Sequence, residues 1–241
     1  MRNGSPVFDN VVHVHTLRDD NVIEPEGRVT QNFFYRMLQE QKGSDYPYEE
    51  FASAWSPATV GEILFRPGSE IDYAMVQTVP MFDMYKDGLD AVERQYELAQ
   101  LYPERVIFCG GTDPVLRGVS TAIHDVEHQI KDLGAKSIKF YTGHTRGRSW
   151  RMDDRNLAYP LFERMLENGV DIAQVHKGNP LGPEPLTLEL EVFHGRSPLS
   201  ALASPLPLAW ERDTERGVVS ERWRRRRPTI RSPLPLAGEV R

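Results

Sequence analysis

The chain has 241 residues, 39% hydrophobic and 27% charged, which excludes wholesale disorder and fits one large domain or two small ones. A formal net charge of −6 argues against a general binder of nucleic acid or of anionic membrane. The single cysteine, Cys109, excludes an internal disulfide and a multi-cysteine zinc cluster.

The opening Met-Arg-Asn-Gly-Ser-Pro has no apolar segment, and no long uncharged apolar run follows. No signal peptide or transmembrane helix is expected, and the expected compartment is the cytoplasm. Residues 7–12 are β-branched and apolar and read as a buried strand. Residues 17–56 are mixed and aromatic-rich and take no assignment; a connection that long in a compact domain is often functional. Pro57 suits a first helical turn, with Val60, Ile63 and Leu64 as its apolar stripe. Residues 71–79 form the second predicted strand, ended by Pro80. Residues 88–101 form a helix with Leu89, Val92, Tyr96 and Ala99 on one side.

Residues 106–109 are the third strand, closed by Gly110-Gly111. Residues 119–133 are a helix with Val119, Ile123, Val126, Ile130 and Leu133 on its buried stripe and Gly134 as its stop. Residues 137–141 are a strand, residues 156–168 a helix stopped by Gly169, and residues 170–175 a fifth strand. Strands alternating with helices imply right-handed crossovers and a parallel sheet. The repeat of roughly thirty residues matches one βα unit of a (β/α)8 barrel. The rival is an open doubly wound sheet, but no Gly-x-Gly-x-x-Gly follows the first strand.

Composition changes near residue 184. Residues 1–183 carry 6 Lys and 13 Arg against 27 acidic residues; residues 184–241 carry 10 Arg, no Lys and 8 acidic residues. Seven of the 18 prolines fall in that second stretch, and Ser-Pro-Leu-Pro-Leu-Ala occurs twice, from Ser204 and from Ser232. Such Pro/Arg-rich sequence does not easily bury a core. The expected organisation is therefore a partial barrel over residues 1–185 and an irregular tail over 186–241. Within the tail, residues 186–192 alternate and fit a strand. Arg224 to Arg227 reads as a solvated charge run rather than a nucleic-acid site.

Chemistry concentrates at predicted strand ends. His13-Val14-His15 follows the first strand, and alternation puts both imidazoles on one face, where they can chelate a divalent metal. His176 closes the fifth strand and should lie on the same rim, since the C-terminal ends of barrel strands carry the active site. Lys139, inside the apolar fourth strand, needs a partner: a substrate carboxylate, a metal-binding carbamate or an interior acidic residue. His144, in a strand-end loop beside Arg146 and Arg148, and Lys177, next to His176, are candidate substrate contacts, with a solvated loop the rival for His144. His124-Asp-Val-Glu127-His128 spells an inverted zinc-protease motif. Its residues lie beside or opposite the buried stripe, which argues against that reading.

Taken together, these motifs resemble the amidohydrolase-related (amidohydrolase family 2) branch of the metal-dependent hydrolases. The likeness rests on Val-Phe-Asp-Asn-Val-Val-His-Val-His (residues 7–15), Gly-Ala-Lys-Ser-Ile-Lys-Phe-Tyr (134–141), residues 152–163, and Val-His-Lys-Gly-Asn-Pro-Leu-Gly-Pro (175–183). It runs from about residue 6 to residue 185. The resemblance implies a TIM-like barrel and one divalent metal, zinc or else manganese, with His13, His15 and His176 as ligands. His176 and Lys139 would be catalytic. The implied activity is metal-dependent hydrolysis of a C–N or C–O bond in a small-molecule substrate, or decarboxylation of a small carboxylic acid.

The pattern breaks in one place. The family's last ligand is an aspartate ending the eighth strand, yet only five strands are legible and Asp213 is the only aspartate after residue 171. Three more βα units need on the order of ninety residues. The chain therefore reads as the first five units of a barrel joined to foreign sequence. Reduced or absent turnover, and association through open sheet edges, are expected.

Overall fold

The computed structural model describes residues 4–43, 45–53, 55–145 and 148–176. The chain divides into two units, Met1–Pro198 and Leu199–Arg241, and all described residues belong to the first. The readings made on Lys177, the strand at 186–192, Asp213, the arginine run and the tail lie outside the described residues.

Five strands form one parallel sheet in sequential order: β1 (Phe8–Val12), β2 (Tyr73–Gln77), β3 (Val106–Gly111), β4 (Ser137–Phe140) and β5 (Ala173–Val175). The helices are α1 (Glu26–Lys42), α2 (Tyr48–Phe51), α3 (Pro57–Phe65), α4 (Val92–Leu101), α5 (Val119–Lys131) and α6 (Ala158–Glu167). Sequential parallel order with a helical crossover after each of the first four strands makes a curled partial (β/α)8 barrel, as the sequence predicts. Among the described residues, no helix is long and apolar enough to cross a membrane.

The two faces of the sheet differ because side chains alternate. Ala74, Val76, Val106, Phe108, Ile138 and Phe140 point outward and pack with Leu98, Val126, Leu161 and Met165 of the helices. The concave inner face carries the intervening residues. There Phe8, Tyr73, Ile107 and Ile172 are exposed. A second core cluster joins Leu17, Phe51, Met84, Tyr85 and Leu89, packing the segment after β1 onto the β2–α4 connection.

Several predicted boundaries move: β3 runs on through Gly110 and Gly111, which the sequence reads as its close, β2 and β5 are shorter than predicted, and two further changes bear on the site. The unassigned stretch contains the 17-residue α1, whose buried positions are Gly27, Thr30 and Gln31. Its first turns bury small and polar residues, so the apolar stripe of Phe34, Tyr35 and Leu38 that packs on the second core is too short to read as a helical period. The close approach explains Gly27, where a Cβ would overlap the Met84 carbonyl oxygen. The helix predicted from residue 88 begins at Val92 instead. Gly88 has φ +82°, and Leu89 and Asp90 run back along Val79 as an antiparallel bridge. That backbone cannot be helical, and it places Asp90 above the end of β2.

Candidate active site

His13 and His15 lie just past β1, and three features aim them. One extra residue in β1 opposes β2 between Asp9 and Val12, a bulge of the kind that re-aims side chains beside active sites. Gln77 fills it, its amide donating to the Asn10 carbonyl at 2.6 Å. Val14 buries its side chain completely among the outward core. Buried Gln95 of α4 then holds the Val14 backbone from both sides: Oε1 accepts the Val14 N–H at 3.0 Å, and Nε2 donates to the Val14 carbonyl at 2.9 Å. With Val14 outward, both imidazoles share the other face, their rings 5.7 Å apart and 15° from parallel. Both imidazoles lie on one face, as strand alternation predicts.

Both rings converge on one carboxylate. His15 Nδ1 donates to Asp90 Oδ1 at 2.6 Å, and His13 Nδ1 lies 2.7 Å from Asp90 Oδ2. Asp90 is completely buried. Thr16 N–H donates to the Leu89 carbonyl at 2.8 Å, stitching the histidine segment to the Asp90 segment. His13 Nδ1 also reaches the Gln77 carbonyl at 3.1 Å. A carbonyl only accepts, so Nδ1 carries the hydrogen and Nε2 keeps its lone pair.

Burial pushes the Asp90 carboxyl up, but the adjacent His15 charge and hydrogen bonds from His13 and His15 outweigh it and hold the group below the usual carboxylate range. An ionised Asp90 is acceptor-only, so His15 Nδ1 is likewise the donor. Burial works against protonating His15, yet Asp90 reverses the balance and the ring's pKa is raised.

Lys139 projects from β4 onto the same inner face. Its Nζ donates to Gln77 Oε1 at 2.9 Å, an amide rather than the acidic partner considered from sequence. Burial pulls its pKa down, opposed by Cys109 and Asp90. Gln77 is thus a hub, touching the β1 bulge, His13 and Lys139. His176, at the end of β5, stacks on Tyr141 with centroids 4.5 Å apart and planes 7° apart. Among the described residues, no group of three or more His, Cys, Asp or Glu is arranged to hold a metal ion. The donor chemistry fits a metal at the His13/His15 pair, since Nδ1 is held by the Gln77 carbonyl in His13 and by the Asp90 carboxylate in His15, which leaves each Nε2 lone pair for an ion.

His144 is not in a solvated loop. It is buried, and its Nε2 lies 2.7 Å from Asp113 Oδ2. Asp113 also accepts from Trp150 Nε1 at 3.1 Å and from the Val115 and Leu116 N–H groups. This cluster binds the loop after β3 to the loop after β4. The inverted protease motif lies on α5 as expected from its stripe: His124 and His128 are exposed, and Glu127 is held by Lys131 and Arg164.

An apolar cleft of about 400 Å³ ends on His13 and His15, with α1, α2 and α3 supplying much of its wall. Sequence reasoning missed Asp90, Gln77 and Gln95. The one available signal for Asp90 was its place directly after Gly88-Leu89, which is poor helical sequence.

No family model and no curated protein matches the chain. The structure is similar to that of an uncharacterised TIM-barrel protein from Bordetella bronchiseptica, at TM-score 0.51 and 19% identity, covering 76% of this chain. This chain spans 59% of that neighbour's length. At this identity the likeness establishes the barrel fold alone, and the fold is one that hosts many enzymes.

Proposed function

We propose that the strand-end rim is the active site of a metal-assisted hydrolase of the amidohydrolase-related kind. His13 and His15 would hold one divalent ion through Nε2; the family resemblance offers His176 as a further donor, although the described residues bring no third donor to the pair. The observation that carries this reading is the completely buried Asp90, which accepts the His15 Nδ1 hydrogen and lies 2.7 Å from His13 Nδ1. A carboxylate behind a ligating imidazole fixes its tautomer and raises its basicity. A bound ion there would supply a water of lowered pKa and polarise the scissile carbonyl. Asp90 keeps His15 as the Nδ1–H tautomer, the Gln77 carbonyl does the same for His13, the Gln77 side chain holds Lys139, and Lys139 offers a hydrogen-bond donor on the inner wall. Fold position supports the reading, because barrel active sites lie at the C-terminal strand ends.

The test is zinc binding by the full chain, followed by calorimetry and by metal analysis after gel filtration. His13→Ala and His15→Ala should each lower affinity at least about tenfold. Zinc binding equal to wild type in both variants would remove the site.

A further inference from the structure

Among the described residues, the cleft that includes the histidine pair has uncharged walls: no Asp, Glu, Lys or Arg lines it, and its polar groups apart from the histidines are the neutral Gln41, Ser53 and Tyr46. Its volume of about 400 Å³ lies in the range of small-molecule sites. A charged group drawn in among the walls away from the histidines would lose water and meet no countercharge from a described residue, which is costly; an alkyl or aryl group there gains contact. Met37, Trp55 and Ile63 line it while remaining partly open to solvent, so the cleft opens beside them. The polar end is the histidine pair.

We infer that the cleft takes a small neutral molecule with an alkyl or aryl body, seated so that its polar bond lies at His13 and His15. The assignment rests on reading that pair as the reactive end. It favours a neutral amide or ester over a free carboxylic acid as the substrate.

The probes are butanamide, hexanamide and octanamide, with octanoate as the charged counterpart. Each is titrated into the full chain without added metal, and tryptophan fluorescence is followed. Trp55 lines the cleft, so Trp55→Phe should abolish the signal change. Affinity should rise about fourfold per added methylene, the equivalent of burying one such group. Octanoate should bind more weakly than octanamide. Met37→Glu and Ile63→Glu, at partly open positions that tolerate a polar residue, should weaken octanamide about tenfold or more.

Absence of chain-length dependence, equal binding of octanoate, or wild-type affinity in both Glu variants would each overturn the inference. Zinc binding of Met37→Glu separates it from the hydrolase reading. Zinc bound without amide binding refutes the cleft assignment alone. Chain-length-dependent amide binding without zinc binding supports the cleft and refutes the metal site.

Discussion

Gln95 holds Val14 by both of its backbone groups, at 3.0 Å and 2.9 Å, across 81 residues of sequence. Past the last paired residue of β1, this side chain replaces the missing strand ladder and keeps His13 and His15 on one face. Gln95→Leu should leave two buried backbone groups unpaired, at about 1–3 kcal/mol each. Urea unfolding should show a lower midpoint. A midpoint equal to wild type would mean the backbone finds other partners.

Asp90→Asn keeps the shape of the side chain but removes the charge that accepts from His15 and lies beside His13. Zinc affinity should fall by about 10–100-fold, the usual effect of losing a carboxylate behind a ligand. Calorimetry of the refolded variant measures it, with circular dichroism to verify that the barrel is intact. Unchanged affinity would reduce Asp90 to a packing role.

Gly110 lies against buried Gln129, which accepts the Gly111 N–H at 2.7 Å and donates to the Gly111 carbonyl at 3.1 Å. A Cβ on Gly110 would overlap Gln129 Oε1. Gly110→Ala should therefore destabilise by about 1–3 kcal/mol, read from denaturant midpoints. Pairing it with Gln129→Ala should recover part of the loss if the overlap is the cause.

Cys109 is completely buried, and burial pushes its thiol up to about 11. Only the thiolate reacts, so a neutral thiol closed to solvent is doubly protected. Iodoacetamide at mildly alkaline pH should leave native protein unlabelled and label it fully in guanidinium, as mass spectrometry will show. Rapid native labelling would mean that the inner face opens easily.

The inner face leaves Phe8, Tyr73, Ile107 and Ile172 exposed, and among the described residues β1 and β5 each present an unpaired edge. Burying such a side chain is worth roughly 1.5–3 kcal/mol, and open parallel edges invite pairing. Light scattering should show mass rising with concentration above that of a 27.6 kDa monomer, and Phe8→Ser with Ile107→Ser should reduce it. A monomer at all concentrations would contradict this.

The strands and their order were legible because each is a short apolar run bounded by Gly or Pro, and alternating βα units admit few topologies. The shared face of His13 and His15 was legible for the same local reason, since a period of two needs no tertiary information. Helix α1 was not. Its buried face is Gly27, Thr30 and Gln31, chosen to fit the Met84 carbonyl, the Met84 sulfur and the Leu17 carbonyl. That fit exists only once the β2–α4 connection is in place.

Sequence by itself determined the alternation of elements, the parallel sheet and the position of the histidine pair at a strand end, all set by patterns a few residues long. Tertiary structure alone decided which carboxylate the pair meets. Asp90 is 75 residues from His15 and reaches it because Gly88 turns the chain back along Val79. Local propensity carries no record of such a contact: its energy comes from a buried charge meeting two imidazoles, and those groups become neighbours only when β1 and β2 pair.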